Sequence, residues 1–150
     1  MTELKISVIT VNLNNADGLR KTLDSLVCQS FSPEIIVIDG QSSDHSVGVL
    51  KEFGPTLGSW ISERDSGIYD AMNKGLRLGT GDVIGFLNAG DLLMDRSVIS
   101  KVVREFDRSK ADAVFGDIIM VDEHDIHKVH RTWRNGSYDR SDFRKGWMPP

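Results

Sequence analysis

Short runs of β-branched residues alternate with helix-like segments along most of the sequence, and this alternation limits the possible folds more than any other feature. Residues 6–11 and residues 34–38 are such runs, and both are typical of buried strands. Between them, apolar residues from Leu19 to Val27 recur on one face of a helix. A strand, a helix and a second strand in this order predict a parallel pair, because parallel strands need a crossover connection.

The same alternation continues towards the carboxyl end. It predicts helices over residues 45–53, 69–78 and 95–106, and strands over residues 59–62, 83–87 and 113–121. Strands that alternate with helices favour an α/β fold with an open, mostly parallel sheet and helices on both faces. Residues 122–125 are predicted to form a turn between two antiparallel strands.

Composition narrows the class of protein further. The chain has 150 residues, the size of one ordinary domain, and a formal net charge of −4, which argues against a nucleic-acid partner. Cys28 is the single cysteine, and we expect a buried structural thiol in a reducing compartment. The sequence contains neither a recognisable secretory leader nor a long apolar run. We therefore expect a location in the cytoplasm or at the inner face of the membrane.

Polar residues follow the predicted parallel strands at the points where the strands end. They are Asn12, Asp39, residues 63–65 and residues 88–91. Open parallel sheets bind ligands beyond the carboxyl ends of their strands. The sequence therefore predicts a ligand site at this edge of the sheet.

Three segments resemble the inverting glycosyltransferases of family 2, which have the GT-A fold. Residues 7–14, SVITVNLN, are similar to the first strand and nucleotide loop of that family, although Leu13 stands where an aromatic residue is common. Residues 37–44, VIDGQSSD, resemble its second strand. The most specific block, SERDSGIYDAMNKG at residues 62–75 and GTGDVIGFLNAGD at residues 79–91, closely resembles a subgroup that glycosylates polysaccharide and lipid-linked acceptors.

The resemblance implies a GT-A-like nucleotide-binding half and a set of donor contacts. Residues 1–121 would form the nucleotide-sugar-binding α/β domain, and residues 122–150 would begin an acceptor-side region that is truncated. The donor would be a nucleoside diphosphate sugar, with a UDP-sugar favoured, and the acceptor a glycan or a lipid-linked sugar. The expected nucleotide contacts are Val11, Asn12, Asn14, Asp39, Asp65, Asn73, Lys74 and Asn88, with Asn73 favoured over its neighbour Lys74.

Asp91 is the expected ligand of a divalent cation, Mg²⁺ or Mn²⁺. Such a hard cation takes oxygen ligands, and it offsets the negative charge of a leaving diphosphate. Asn88 replaces the first acid of the family's usual acidic pair, so one carboxylate would act together with substrate phosphates and water. Two plainer interpretations remain open, in which Asp91 is a turn residue and Asp39 caps its own loop.

The general base that an inverting transferase needs is expected beyond Pro150, as the resemblance implies. We therefore expect the given chain to bind nucleotide but to transfer sugar poorly. The aromatic residues Trp133, Phe143 and Trp147 are expected to be exposed and to favour homo-oligomers.

Two other functions remain open. One is a nucleotidyltransferase, which is less favoured because residues 12–15 do not form a glycine-rich, basic phosphate loop. The other is a non-catalytic fragment that binds nucleotide sugar.

Overall fold

The computed structural model describes residues 4–122, 124–136, 141 and 144. The chain divides into two compact units, Met1–Arg108 and Ser109–Pro150. The described elements, in chain order, are β1 (Ile6–Asn12), α1 (Ala16–Val27), β2 (Glu34–Asp39), α2 (Ser46–Phe53), β3 (Ser59–Ser62), α3 (Ile68–Leu78), β4 (Val83–Phe86), α4 (Val98–Ser109), β5 (Ile118–Val121) and β6 (Val129–Trp133), with a 3₁₀ turn at Gly54–Thr56. A nucleotide-sugar-binding domain over residues 1–121 stays a prediction.

The first unit contains a four-stranded sheet with the order β3-β2-β1-β4. Every pair in it is parallel, and the register aligns Asn12 with Asp39 and Asp39 with Ser62. All seven residues of β1 are buried, as expected for a central strand covered on both sides. The predicted α/β fold with a parallel sheet is confirmed.

Helices cover both faces of this sheet. On one face, Val8 and Val37 belong to a cluster that includes residues of α1, α2 and α4. On the other face, Ile9 and Ile36 pack with Ala71 of α3. Successive strand residues point to opposite faces, which is why adjacent residues such as Val8 and Ile9 join different clusters.

Gly75 allows α3 to lie close to β1. A Cβ atom added at Gly75 would overlap the Cγ2 atom of Ile9, which is fully buried. A helix that approaches a sheet this closely needs a residue without a side chain at the contact. The glycine therefore fixes the height of α3, and of the loop that precedes it, above the sheet.

A polar cluster around Glu34 closes the amino end of the sheet. The Glu34 carboxylate accepts hydrogen bonds from the Ser7 hydroxyl and from the Thr80 amide and hydroxyl, the last two at 2.8 Å. Lys5 lies 3.5 Å away. Burial alone would raise the pKa of Glu34, but the hydrogen bonds from Ser7 and Thr80 outweigh it and lower the pKa from 4.5 to about 2. The carboxylate is therefore more stable in the folded chain than in the unfolded one.

Glu34→Gln is expected to lower the free energy of unfolding by about 2 kcal/mol at neutral pH. A pKa lowered from 4.5 to about 2 corresponds to ~3 kcal/mol at most, and solvent at this edge reduces that contribution. The stabilisation is present above the unfolded pKa of 4.5 and is lost as the pH falls towards 2, so the difference between the two proteins should shrink on acidification. Urea denaturation between pH 3 and pH 7 measures it.

The matched control is Glu52→Gln, which removes an exposed carboxylate paired with Arg20. This change should cost less, because exposed ion pairs contribute little to stability. Equal losses in the two variants, or a loss at Glu34 that does not depend on pH, would contradict this account of the cluster.

The second unit contains the antiparallel pair β5 and β6, with Ile118 opposite Trp133. The predicted antiparallel pair with a turn near residues 122–125 is confirmed, and the Asp122 amide donates to the Lys128 carbonyl at 2.9 Å. The strand predicted over residues 113–121 is wrong in its extent, since only Ile118–Val121 is a strand. Residues 113–117 are irregular because Gly116 and Asp117 disfavour the extended ladder.

The single cysteine lies elsewhere than predicted. Cys28 is exposed, since it caps the carboxyl end of α1 and lies beyond the apolar face of the helix. Tyr69, near the start of α3, is also exposed, with 78% of its surface open to solvent. The buried face of α3 runs through Ala71 and Gly75, and a residue two positions before Ala71 points away from it.

Trp133 is exposed as predicted, whereas Phe143 and Trp147 lie outside the described residues. Within the described part of the chain, no helix has both the length and the apolarity to cross a membrane.

Candidate functional site

The carboxyl ends of β1, β2 and β3 bring together two predicted polar residues, Asn12 and Asp39, and a third that was not predicted, Ser62. The side-chain amide of Asn12 donates to the Asp39 carboxylate at 2.7 Å, and the Ser62 hydroxyl donates to the same carboxylate at 2.6 Å. The parallel register explains this, because it places the last residues of the three strands side by side. The predicted meeting of Asn12 and Asp39 at one sheet edge is therefore observed.

Asp39 is fully buried and is held by protein donors. Besides Asn12 and Ser62, it accepts from the Ser42 hydroxyl and from the Ser42 amide at 3.0 Å. Burial alone would raise the pKa of Asp39, but the hydrogen bonds from Ser42, Ser62 and Asn12 lower it below its ordinary value. A carboxylate has about four lone-pair positions, and these four donors fill them. Asp39 thus fixes the loop after β2, while a contact with a nucleoside stays a prediction.

The loop after β1 is tied to the loop after β2. The Asn14 amide donates to the Ser42 hydroxyl at 2.7 Å, and the Asn14 side-chain oxygen accepts from the Ser43 amide at 2.8 Å. The side-chain oxygen of Asn12 is buried and has no hydrogen-bond partner among the described residues. An unpaired buried oxygen is costly unless a ligand or water satisfies it. Asn12 therefore has an unpaired hydrogen-bond acceptor buried at this edge.

The loop after β4, residues 88–91, lies beside β1. The Ala89 amide donates to the Val11 carbonyl at 3.1 Å, and the Asp91 amide donates to the Asn88 carbonyl at 2.9 Å. Gly90 has a φ of +105°, a backbone conformation that favours glycine. The side-chain oxygen of Asn88 is also buried without a partner among the described residues.

Thr22 of α1 and Asn15, the residue that precedes the helix, hold this loop in place, and sequence reasoning assigned neither to the site. The Thr22 hydroxyl lies 2.9 Å from the Gly90 amide and 2.8 Å from the Asp91 carbonyl, and the Asn15 side chain donates to the Ala89 carbonyl at 3.1 Å. Asn15 also caps α1, because its side-chain oxygen accepts a hydrogen bond from the Gly18 amide. A threonine on the apolar face of an amphipathic helix could have drawn attention to Thr22, because buried hydroxyls need partners.

Among the described residues, the Asp91 carboxylate has no charged or hydrogen-bonding partner that shifts its pKa. Partial burial is the single cause that raises the pKa of Asp91 above its ordinary value of 3.8, although the residue as a whole is exposed. Within the described ranges, no group of three or more His, Cys, Asp or Glu residues could hold a metal ion. A partly desolvated carboxylate fits a hard cation that takes its remaining ligands from phosphates and water.

Asp65 reaches the loop after β2 from the loop that precedes α3. A Cβ added at Gly40 would lie 2.6 Å from an Asp65 carboxylate oxygen and 3.3 Å from Leu13, so the three residues are close neighbours. Asp65 also accepts a hydrogen bond from the Gly67 amide at 2.9 Å. Asp65 therefore lies at the same edge as Asp39, as predicted.

Lys74 contacts the loop after β3, and Asn73 is exposed. The Lys74 ammonium donates to the Arg64 carbonyl and lies 2.8 Å from Glu63, with 13% of its side chain exposed. The geometry thus places Lys74, and not Asn73, beside the carboxyl-end edge of the sheet, whereas the sequence favoured Asn73. Which of the two residues contacts a nucleotide stays a prediction.

Comparison with known proteins agrees with this geometry. The profile described as "Glycosyl transferase family 2" matches residues 7–149. A PGL/p-HBAD biosynthesis glycosyltransferase of Mycobacterium bovis (strain BCG / Pasteur 1173P2) is 35% identical over 119 residues, which are 76% of this chain and 46% of the relative. An uncharacterized glycosyltransferase of Nostoc sp. is 32% identical over 126 residues, 81% of this chain and 39% of the relative. The chain spans less than half the length of these relatives.

Solved structures share the fold. TarS 1-349 of S. aureus in complex with UDP-GlcNAc has a TM-score of 0.66 and 21% identity, with 73% of this chain and 33% of that chain covered. The mannosyltransferase PcManGT of Pyrobaculum calidifontis, in complex with GDP-Man and Mn²⁺, has a TM-score of 0.66 and 22% identity, with 85% and 38% covered. The predicted GT-A-like fold is therefore confirmed. Together with the profile match, which covers nearly all of the sequence, this shows that the chain belongs to glycosyl transferase family 2.

Proposed function

We propose that the first unit binds a nucleoside diphosphate sugar together with Mg²⁺ or Mn²⁺. In this proposal the chain forms the donor half of an inverting transferase that passes the sugar to a polysaccharide or lipid-linked acceptor. The observation that carries the proposal is the Asp91 carboxylate at the ligand edge of a parallel sheet, which is partly desolvated and has no compensating cation among the described residues. Metal-binding and active sites commonly contain such groups.

The chemistry of the edge suits a diphosphate and its counter-ion. With a net charge of −4, the protein has no general attraction for an anionic ligand, so the charge must be offset locally. A bound divalent cation would supply that charge and would stabilise the leaving diphosphate. A solved relative in fold, glucosyl-3-phosphoglycerate synthase from Mycobacterium tuberculosis, is in complex with Mn²⁺ and UDP, which supports this choice of ligands.

Each residue has a proposed part. Asp91 holds the cation. The unpaired side-chain oxygens of Asn12 and Asn88 accept hydrogen bonds from the nucleotide sugar. Asp39 orients Asn12 and the loop after β2. The remaining proposed nucleotide contacts are Val11, Asn14, Asp65, Asn73 and Lys74. The proposal gives none of these residues the part of general base, which inversion requires on the acceptor side.

Calorimetric titration with UDP and GDP, each with and without Mn²⁺, tests the proposal. We expect the 150-residue chain to bind UDP more tightly when Mn²⁺ is present, and UDP more tightly than GDP. Bound ligand should also raise the midpoint of thermal unfolding by mass action. UMP is the control, because it lacks the diphosphate and should gain less from Mn²⁺.

An affinity for both diphosphates that is unaffected by Mn²⁺ would refute the metal-assisted function. Release of pyrophosphate from a nucleoside triphosphate and a sugar phosphate would instead favour a nucleotidyltransferase.

A further inference from the structure

Helix α1 and the residues that flank it carry a row of polar side chains that contact the segment after β4. We call Asn15, Thr22, Ser25 and Gln29 the α1 seam. Besides the contacts of Asn15 and Thr22 described above, Ser25 accepts from the Leu93 amide at 3.3 Å, and the Gln29 side chain donates to the Asp95 carbonyl at 2.7 Å. The seam thus bonds to backbone groups along the segment that follows β4.

Thr22 makes the contact nearest to the expected metal ligand. It is fully buried, and its hydroxyl accepts from the Gly90 amide at 2.9 Å. Three carbonyl oxygens lie within reach of the same hydroxyl, those of Asp91 at 2.8 Å, Gly18 at 3.0 Å and Asn88 at 3.4 Å, and the Asp91 carbonyl is the nearest acceptor for its one proton. The hydroxyl therefore bridges the two ends of the Gly90–Asp91 segment, and we call this contact the Thr22 bridge.

The Thr22 bridge restrains a part of the loop that would otherwise have freedom. Gly90 has a φ of +105°, and glycine adopts several backbone conformations at similar cost. A rotation at Gly90 would swing the Cα–Cβ bond of Asp91 and move its carboxylate. Because the Thr22 hydroxyl holds both the Gly90 amide and the Asp91 carbonyl, such a rotation would break two partly buried hydrogen bonds at once.

We propose that Thr22 is a positioning residue that fixes where Asp91 presents its carboxylate to a divalent cation. The identity of the ligand in this proposal rests on the proposed function. The Thr22 bridge itself is observed independently of that function. Outer contacts of this kind commonly change metal affinity 10-fold to 100-fold when they are removed. Thr22 itself touches neither the cation nor the nucleotide.

The experiment compares Thr22→Val, which keeps the shape and loses the hydroxyl, with Thr22→Ser, which keeps the hydroxyl. The matched control is Thr10→Val, because Thr10 is also fully buried but its hydroxyl has no partner among the described residues. Three quantities are measured in each variant: the Mn²⁺-dependent increase in affinity for UDP, the hydrogen-exchange protection of the Gly90 amide, and the midpoint of thermal unfolding.

We expect Thr22→Val to lose the Gly90 protection and to lower the Mn²⁺-dependent increase about 10-fold or more, with little change in affinity measured without metal. Thr22→Ser and Thr10→Val should keep both properties. Loss of Gly90 protection together with an unchanged Mn²⁺ effect would overturn the positioning role, since Thr22 would then be structural alone.

Failure of the proposed function gives a different pattern. If Mn²⁺ does not change the affinity of the unmodified chain for UDP, the proposed function is refuted for UDP. The hydrogen-exchange protection of the Gly90 amide then tests by itself whether the Thr22 bridge restrains the loop. The bridge stands if Gly90 protection follows the hydroxyl across the variants, and it falls if Thr22→Val protects Gly90 as well as the unmodified chain does.

Discussion

Asp91→Asn is expected to remove the Mn²⁺-dependent part of UDP affinity and to leave the metal-free affinity unchanged. Asparagine keeps the size of the side chain but loses the charge that a hard cation requires. Loss of an outer contact alone costs about 10-fold to 100-fold in metal affinity, so loss of the ligand should cost ~100-fold or more. Titration of UDP with and without Mn²⁺ measures the change.

The stability of the same variant separates a metal ligand from a turn residue. Burial raises the pKa of Asp91, so the charged carboxylate opposes folding as the pH rises through the folded pKa. Asp91→Asn should therefore unfold at the same temperature as the unmodified chain, or slightly higher, at pH 7. A turn residue would show the reverse pattern, with lower stability and an unchanged Mn²⁺ effect.

Lowering the pH tests the role of Asp91 as a metal ligand in a second way. A raised pKa means that protons compete with the cation at a higher pH than they would at an ordinary aspartate. As the pH is lowered, the Mn²⁺-dependent increase in affinity for UDP should therefore begin to fall at a higher pH than an ordinary aspartate would give. Asp82→Asn is the control, because Asp82 is exposed and bonds to the Lys5 amide at the opposite end of the sheet. It should leave the Mn²⁺ effect unchanged.

Asp39→Ala is expected to lower the free energy of unfolding by about 3 kcal/mol or more. The change leaves the donors of Asn12, Ser42 and Ser62 without their acceptor, and buried donors without partners are costly. The pKa of Asp39 is lowered in the fold, so its contribution is present above the ordinary pKa of 3.8 and is lost as the pH falls through the folded value. Urea denaturation at pH 7 and at acidic pH measures both effects.

The control for Asp39 is Asp44→Ala in the same loop. Asp44 accepts from the Ala16 and Ser46 amides at 2.9 Å but is exposed, so water can replace it. We expect a smaller loss there. If Asp39→Ala keeps its stability but loses affinity for UDP, Asp39 contacts the nucleoside and its role in the loop is secondary.

Much of the fold follows from the local pattern of residues. The strand predicted over residues 59–62 is found at Ser59–Ser62, and the helix predicted over residues 69–78 is found at Ile68–Leu78. Buried parallel strands appear as short runs of β-branched residues, whereas helices appear as apolar residues spaced three or four positions apart. The two patterns can be told apart in the sequence. Residues 113–121 are apolar too, but apolarity does not reveal a strand's partners, and β5 pairs only with β6 in the described structure.

The candidate site was predictable to the level of strand ends but not to the level of single contacts. Asn12, Asp39 and Asp91 were found because polar residues that follow parallel strands lie at one edge. The Ser62 contact with Asp39 joins residues 23 positions apart and depends on strand register. The contrast between Asn73 and Lys74 depends on the rotation of α3 by one residue, which packing at Gly75 sets.

The strand order also has a consequence for synthesis of the chain. The first 62 residues contain β1, β2 and β3, which are neighbours in the sheet, whereas β4 begins at Val83 and pairs with the other side of β1. Until β4 is made, the most deeply buried strand has one side without a hydrogen-bonded neighbour. Unpaired strand edges readily add strands from other molecules. Nascent chains and fragments that end before Val83 should therefore aggregate, and they are the species for which a chaperone would be needed.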